Sequence, residues 1–253
     1  MKIIKQQNKL KIQRLIENIL GIQIFYKTKS IDEIYIENLN ETPFIFDVGA
    51  NEGQSIERFK QIFPESKIFS FEPLHFLENK LSEKQKRFKN VDYFLFGFGD
   101  KNTRKDIYVN LQTGSSSFFK LIPNSAWLNK RAKELGVKES EFRKNKTSVA
   151  LKRLDDFIDE NNIENIDIMK IDVQGFEPLI FQGAKNSLEK KIFNYIEVEL
   201  ILSGIYELEN SFYNIEKYLI PLGYKLVSMK RTNSDNIFEG HKFEFDLLYS
   251  RSH

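Results

Sequence analysis

The sequence predicts an α/β fold, a mostly parallel sheet with helices on both faces. Three observations lead there. From Pro43 onward, short apolar runs alternate with stretches of helical periodicity. The runs carry few polar positions, as strands covered on both faces require. Their ends carry glycine or acidic residues, the usual marks of a strand leaving the sheet. A chain of 253 residues has the length of one large domain, domains being about 100–200 residues, and can bury a core of its own.

The elements follow in order. Residues 1–40 are expected to form a helical cap: Ile12, Leu15, Ile16, Ile19 and Leu20 recur on one helical face. Arg14, Glu17 and Asn18 interrupt that stretch, so it is neither a signal-peptide core nor a membrane span. The main domain is expected over 41–253. Phe44–Val48 is the first strand, apolar except for Asp47, and Gly53–Phe63 a helix stopped by Pro64. Lys67–Phe71 is the second strand, Leu74–Phe88 a polar helix, and Val91–Phe98 the third strand. Strands at Asp106–Leu111 and Ser148–Leu151 flank an irregular insertion, about 103–146, and Asp155–Glu160 opens a helix. Ile166–Val173 is the fourth core strand, Glu177–Leu188 a helix, Phe193–Ile201 the fifth strand and Ser211–Ile220 a helix. Tyr224–Met229 and Phe243–Tyr249 close the domain as a final pair of strands.

Composition narrows the function classes. Lys+Arg 38 against Asp+Glu 36 is a balance, so nucleic acid is not the expected partner. The absence of cysteine excludes disulfides, Cys-ligated zinc and thiol nucleophiles, and fits a cytoplasmic location. The 23 Phe predict an aromatic-rich core.

In a parallel α/β sheet, ligands bind beyond the carboxyl ends of the strands, where strand order reverses. After the first strand comes Asp47-Val48-Gly49-Ala50-Asn51-Glu52-Gly53-Gln54-Ser55. Gly49 and Gly53 permit a tight turn at the start of a helix. The dinucleotide pattern G-x-G-x-x-G is not met, because Asn51 and Gln54 stand at its second and third glycine positions. No Gly-Lys-Ser/Thr follows, so a phosphate chain is not the expected ligand. Glu72 ends the second strand, where a carboxylate can accept from both ribose hydroxyls. Asp100, after Gly99, is placed to accept from an adenine amino group, and Asp47 to hold an ammonium directly or through water. An adenosine with an amino-acid tail matches this set, which points to S-adenosylmethionine ahead of NAD.

Several segments carry a family resemblance: Phe46-Asp47-Val48-Gly49-Ala50-Asn51-Glu52-Gly53, Phe71-Glu72-Pro73, Leu154-Asp155-Asp156-Phe157, and Lys170-Ile171-Asp172-Val173-Gln174-Gly175-Phe176-Glu177 with Gly183-Ala184 downstream. Over about residues 40–250 the chain resembles the FkbM family of S-adenosylmethionine-dependent methyltransferases. Gln174 stands where that family often has Glu. The resemblance implies a class I methyltransferase fold, Rossmann-like, with a seven-stranded sheet whose last strand is antiparallel. It also implies methyl transfer to oxygen, commonly on a sugar or a secondary metabolite. The cofactor set expected is Asp47, Gly49, Asn51, Gly53, Ser55, Glu72, Pro73, Gly99, Asp100 and Asp172.

A hydroxyl nucleophile gains from a base, by about 10²–10⁴-fold. Asp172, at the end of the fourth strand, is the first candidate. Glu177 is a second, although a carboxylate there also suits the helix start. Glu197 and Glu199 share a strand face; Glu199 is the candidate, and Glu197 is expected to pair with a base. His241, in the last loop, is a further candidate. Asp172 with Glu199 leaves a Mg²⁺ site open. In the insertion, Ser116 and Ser117 are candidates to bind a polyhydroxylated acceptor and Trp127 to stack on it; Gln174 completes the substrate set. The expected activity is O-methyl transfer to a glycan, nucleotide-sugar or small hydroxylated metabolite. An RNA methyltransferase and a non-catalytic nucleoside-binding module remain as alternatives.

Overall fold

In the computed structural model, residues 29–208, 210–231 and 243–251 are described. The chain divides at Ser30/Ile31. The helical periodicity read at Ile12–Leu20 lies outside the described residues. Residues 31–38, read above as the end of the cap, form a helix of the main unit.

The principal sheet has seven strands in the order β3-β2-β1-β7-β8-β10-β9. These are β1 (Phe44–Val48), β2 (Lys67–Phe71), β3 (Val91–Phe94), β7 (Ile166–Ile171), β8 (Phe193–Ser203), β9 (Tyr224–Arg231) and β10 (Phe243–Arg251). Pairs β1/β2, β2/β3, β1/β7 and β7/β8 are parallel, and β10 runs antiparallel to both β8 and β9. The chain builds outward from β1 to β3, then returns and builds the other way from β7. Strand order therefore reverses between β1 and β7. This is the Rossmann-like sheet expected, with its last strand antiparallel.

The alternation of side chains divides two cores. Phe46, Val48, Phe71, Met169 and Ile171 enter one. Phe157, from the helix Leu154–Glu160, sits there among the rings of Phe46, Phe69, Phe71, Phe94, Phe96 and Phe98, all with centroids within 6.4 Å. That is where the unusual phenylalanine content goes. Ile45, Ile68 and Ile168 face the other way, onto Ile31 and Tyr35 of the helix Ile31–Asn38 and Ile56 and Phe59 of the helix Gln54–Ile62.

Two differences from the sequence reading have physical causes. The run Val91–Phe98 is not one strand. It breaks after Phe94, and Gly97–Gly99 forms β4 of a second sheet, β4-β6-β5, with Thr103–Asn110 as β5 and Arg143–Arg153 as β6. The insertion is accordingly ordered. It holds β5, the helix Ala126–Glu134, the short helix Glu139–Phe142 and the start of β6. The helix Ala126–Glu134 begins where Ser125 Oγ accepts from the Leu128 N–H at 3.2 Å. The helix Glu177–Leu188 is also broken, into Glu177–Gly183 and Lys185–Glu189. At the break Gly183 lies against the main chain of β4: a Cβ there would sit 2.0 Å from the Gly99 carbonyl oxygen.

Candidate functional site

A cavity of about 210 Å³ opens at the carboxyl ends of β1, β2 and β7, at the reversal of strand order. Of the residues singled out in the sequence, Gly49, Asn51, Ser55, Glu72, Pro73 and Asp172 line it, and so do Ser116 and Gln174.

On the β1–β2 side the arrangement is made by backbone. Gly49 has φ +89, and a Cβ on it would lie 2.0 Å from the Asp172 carbonyl oxygen. Only glycine fits that conformation and that approach. The Gly49 and Ala50 N–H groups donate to Phe71 O at 2.9 and 3.0 Å, which folds the turn back over the end of β2. Glu72 is buried, and its two carboxylate oxygens accept from the Asn51 and Leu74 backbone N–H groups at 2.8 and 2.9 Å. Burial outweighs these bonds and raises its pKa to about 7. Each oxygen keeps a further lone pair for a ligand hydroxyl.

Asp47 is fully buried and does not line the cavity. Burial raises its pKa to about 6, against the pull of Lys170, and Ser55 and Ser70 hydrogen-bond it. Its Oδ1 has no partner among the described residues. Ser55, which hydrogen-bonds Asp47, lines the cavity in front of it. Gly53 starts the helix Gln54–Ile62 from behind the turn. Gly97 and Phe98 line the cavity where Gly99 and Asp100 were expected. The strand that carries them belongs to β4 of the second sheet, and Gly99 and Asp100 are not among the residues that line the cavity.

On the β7–β8 side the arrangement is made by side chains. Register places Ser70, Asp47, Lys170 and Glu197 in one row across four adjacent strands. Burial opposes the Lys170 charge, but Asp172, Asp47, Glu197 and Glu199 surround it and raise its pKa. Lys170 Nζ donates to Asp172 Oδ2 at 3.1 Å. Gln174 Nε2 donates to Asp172 Oδ1 at 3.0 Å and also to Glu199 Oε2. Burial would raise the Asp172 pKa, but the Lys170 ammonium and the hydrogen bond from Gln174 bring it down to about 2. The Tyr206 hydroxyl lies 2.8 Å from both Gln174 Oε1 and Ser115 O. Burial and the nearby acids keep that hydroxyl protonated.

The remaining candidates fall elsewhere. Glu177 is fully buried and accepts from the Val173 and Gly175 N–H groups at 3.2 and 3.1 Å. It ties down the loop after β7 and is not among the residues that line the cavity. Glu199 is not among the residues that line the cavity and is joined to it through Gln174. Glu197 pairs with Arg58 at 2.6 Å and accepts from Tyr35 at 2.8 Å, the basic partner expected. Ser117 donates to Gln174 O at 2.7 Å and is buried. Trp127 is buried, perpendicular to the Phe142 ring, with the Arg131 guanidinium over one face of its own ring. His241 lies outside the described residues. The Mg²⁺ site left open at Asp172 and Glu199 is not supported. Lys170 and Gln174 already donate to the carboxylates a cation would need, and an ammonium at 3.1 Å from Asp172 repels one.

Sequence reasoning missed four residues. Lys170 carries a signal, a cation inside a core strand. Tyr206, Thr113 and Phe118 carry none. Thr113 donates to Asn51 Oδ1 at 2.8 Å, and Phe118 packs on Phe176 at 4.2 Å between centroids. Both bring the insertion over the cavity, which they help line.

The comparisons agree with this arrangement. The 2-O-methyltransferase NoeI of Sinorhizobium fredii is 30% identical over 155 residues, which are 61% of this chain and 63% of that protein. The methyltransferase sdnD of Sordaria araneosa is 27% identical over 204 residues, 72% of this chain and 76% of that one. The solved structure of Methyltransferase FkbM from Methylobacillus flagellatus superposes with a TM-score of 0.54 at 13% identity, over 85% of this chain and 45% of that one, and shares the fold. This chain thus spans less than two thirds of NoeI and of the solved FkbM protein. The Methyltransferase FkbM domain matches residues 47–226. That span starts at Asp47 and takes in every residue lining the cavity; the chain belongs to the FkbM methyltransferase family.

Proposed function

We propose that the protein is an S-adenosylmethionine-dependent O-methyltransferase acting on a hydroxyl of a sugar-containing or small hydroxylated acceptor. The observation that carries this reading is Glu72: a buried carboxylate at the end of β2, anchored by two backbone N–H groups and lining the cavity. It is the acceptor a ribose needs, in a site whose turn lacks the glycines of a pyrophosphate cradle. The donor set fits the cofactor. Glu72 would hold the ribose hydroxyls, Pro73 and Phe98 would meet the base, and Ser55 and the Gly49–Asn51 turn would meet the amino-acid tail, all of them residues that line the cavity.

S-adenosylmethionine supplies a methyl group already activated on a sulfonium. The chain therefore has to hold the acceptor oxygen in line and exclude water. Asp172, with a side chain one-third exposed, is the carboxylate at the reacting end. A carboxylate brought down to about 2 is a weak base at neutral pH, so Asp172 works chiefly by accepting the acceptor's hydroxyl hydrogen bond and fixing its direction. Lys170 and Gln174 hold that carboxylate in place from behind.

The test is calorimetry of cofactor binding to the wild type and to Glu72→Ala. Micromolar binding that is lost in the variant supports the reading. Unchanged affinity in the variant rejects the cofactor assignment. Support from the family comes through NoeI, named a 2-O-methyltransferase.

A further inference from the structure

Beside the cofactor cavity lies a second one, of about 500 Å³. The two share Asn51, Gln54, Thr113, Gly114 and Gln174. The Thr113 hydroxyl, donating to Asn51 Oδ1 at 2.8 Å, closes part of the wall between them. On the far side the second cavity is bounded by the insertion: Leu111, Gln112, Ser115, Trp127 and Arg131. A molecule seated there meets the cofactor cavity across Gln174, the residue that also holds Asp172.

The chemistry of its lining is selective. Six of the lining residues carry side-chain amides or hydroxyls: Asn51, Gln54, Gln112, Thr113, Ser115 and Gln174. Amides and hydroxyls both donate and accept, which suits a surface of neighbouring hydroxyl groups. Charge is sparse. Glu52 and Arg131 are the charged residues of the lining and cancel each other. Arg131 is already engaged: Glu134 lies 2.7 Å from its Nη1, and the guanidinium stands over Trp127. A phosphate or diphosphate calls for uncommitted cations or a run of backbone donors at a helix start. This cavity touches the start of the helix Gln54–Ile62, but the acid Glu52 stands at that start, and its one cation, Arg131, is already paired. The Trp127 indole Nε1 has no partner among the described residues. That N–H is buried, so it adds no donor to the cavity surface.

We propose that this second cavity is the acceptor site and that it takes a neutral sugar, free or as part of a glycan, rather than a nucleotide-sugar or a sugar phosphate. This rests on the methyl-transfer reading above and chooses among the acceptors that reading leaves open. Gln112 and Gln54 act here as specificity residues, since both are exposed at the cavity and make no contact that holds the fold.

The experiment is saturation-transfer NMR on the full chain with S-adenosylhomocysteine bound. The probes are lactose, maltotriose and mannotriose against UDP-glucose and GDP-mannose. The variants are Gln112→Ala, the double variant Gln54→Ala/Gln112→Ala, and Arg131→Ala. The expected result is transfer from at least one neutral sugar. Its affinity falls about three- to tenfold in Gln112→Ala and further in the double variant, each lost neutral hydrogen bond contributing a factor of that size. Arg131→Ala leaves it within about threefold. Binding of the nucleotide-sugars alone, with loss in Arg131→Ala, overturns the proposal. So does binding of no neutral sugar, or binding indifferent to Gln54 and Gln112. Calorimetry of S-adenosylhomocysteine on the same samples separates the two failures. Cofactor binding with no sugar effect falls on the acceptor site alone, whereas absence of cofactor binding falls on the methyl-transfer reading and takes the acceptor role with it.

Discussion

The two sides of the cavity are built from different materials. On the β1–β2 side, position is set by the main chain: Gly49 turns at φ +89 and Glu72 hangs on two backbone N–H groups. On the β7–β8 side, position is set by side chains: Lys170 and Gln174 hold Asp172, and Glu199 and Tyr206 hold Gln174. A site fixed by backbone fails abruptly when the backbone cannot form. A site fixed by a side-chain network degrades in steps, because each member can be removed singly.

That contrast can be broken at several points, and the largest effect is expected where the sides meet. In Gly49→Ala the new Cβ would lie 2.0 Å from Asp172 O, at a φ that L-residues resist. The expected outcome is undetectable cofactor binding and a Tm lower by about 5 °C or more. Wild-type values by calorimetry and thermal unfolding would show that the two sides are not joined there.

Asp172→Asn comes next. Turnover should fall about 10–100-fold, the worth of a hydrogen bond to a charged group, while cofactor Kd stays within about threefold. Turnover close to wild type would remove Asp172 from the reacting end. Glu72→Gln should do the reverse. It keeps the shape but loses charge-assisted bonds, so cofactor Kd should rise about 10–100-fold with turnover at saturation nearly kept. The wild-type affinity should also rise with pH through about 7, as Glu72 ionises, and the Gln variant should lack that rise. Tyr206→Phe should be milder, a drop in kcat of about three- to tenfold with unchanged cofactor Kd. Freed from Tyr206, the Gln174 amide no longer faces both carboxylates reliably, and the acid limb of the kcat profile should move to higher pH. An unmoved profile would leave Tyr206 a packing residue.

The smallest effect is on stability. Glu72, Glu177 and Asp47 have folded-state pKa values raised to about 7, 7 and 6 by burial. Between their ordinary values and these, the folded state holds more protons than the unfolded one, so stability falls as pH rises. Asp172, shifted the other way, contributes above its ordinary value and loses that contribution only as pH falls toward about 2. The Tm should therefore be higher at pH 5.5 than at pH 8, by about 2–4 °C for each kcal/mol gained. A Tm that rises toward pH 8 would mean that these acids do not stay buried.

The same contrast explains what could be read from the sequence. The backbone-built side was legible: a turn that needs glycine writes glycine, and Glu72 follows an apolar strand as a terminal acid. The parallel strands were legible because both their faces are buried. The side-chain network was half legible. Asp172 and Gln174 stand in one segment, but Glu199 comes from β8 and Tyr206 from beyond it, and only the fold brings them together. The second sheet was legible in part: the strands read at Asp106–Leu111 and Ser148–Leu151 fall in β5 and β6, but the exposed, charged ends of both strands hid their full length. Asp100 was misplaced for a related reason. Nothing in the run Val91–Phe98 marks Gly97 as the point where the chain changes sheets.

The joint between the sheets has a consequence for how such a chain can drift. Two glycines meet there, and they are not equally free. A methyl group at Gly99 would touch Leu151 and Phe176 at 3.4 Å, ordinary contact with side-chain ends. A methyl group at Gly183 would run into the Gly99 carbonyl itself. Position 99 has room for alanine and position 183 has none, so the close fit of the joint rests on the helix glycine and not on the strand glycine.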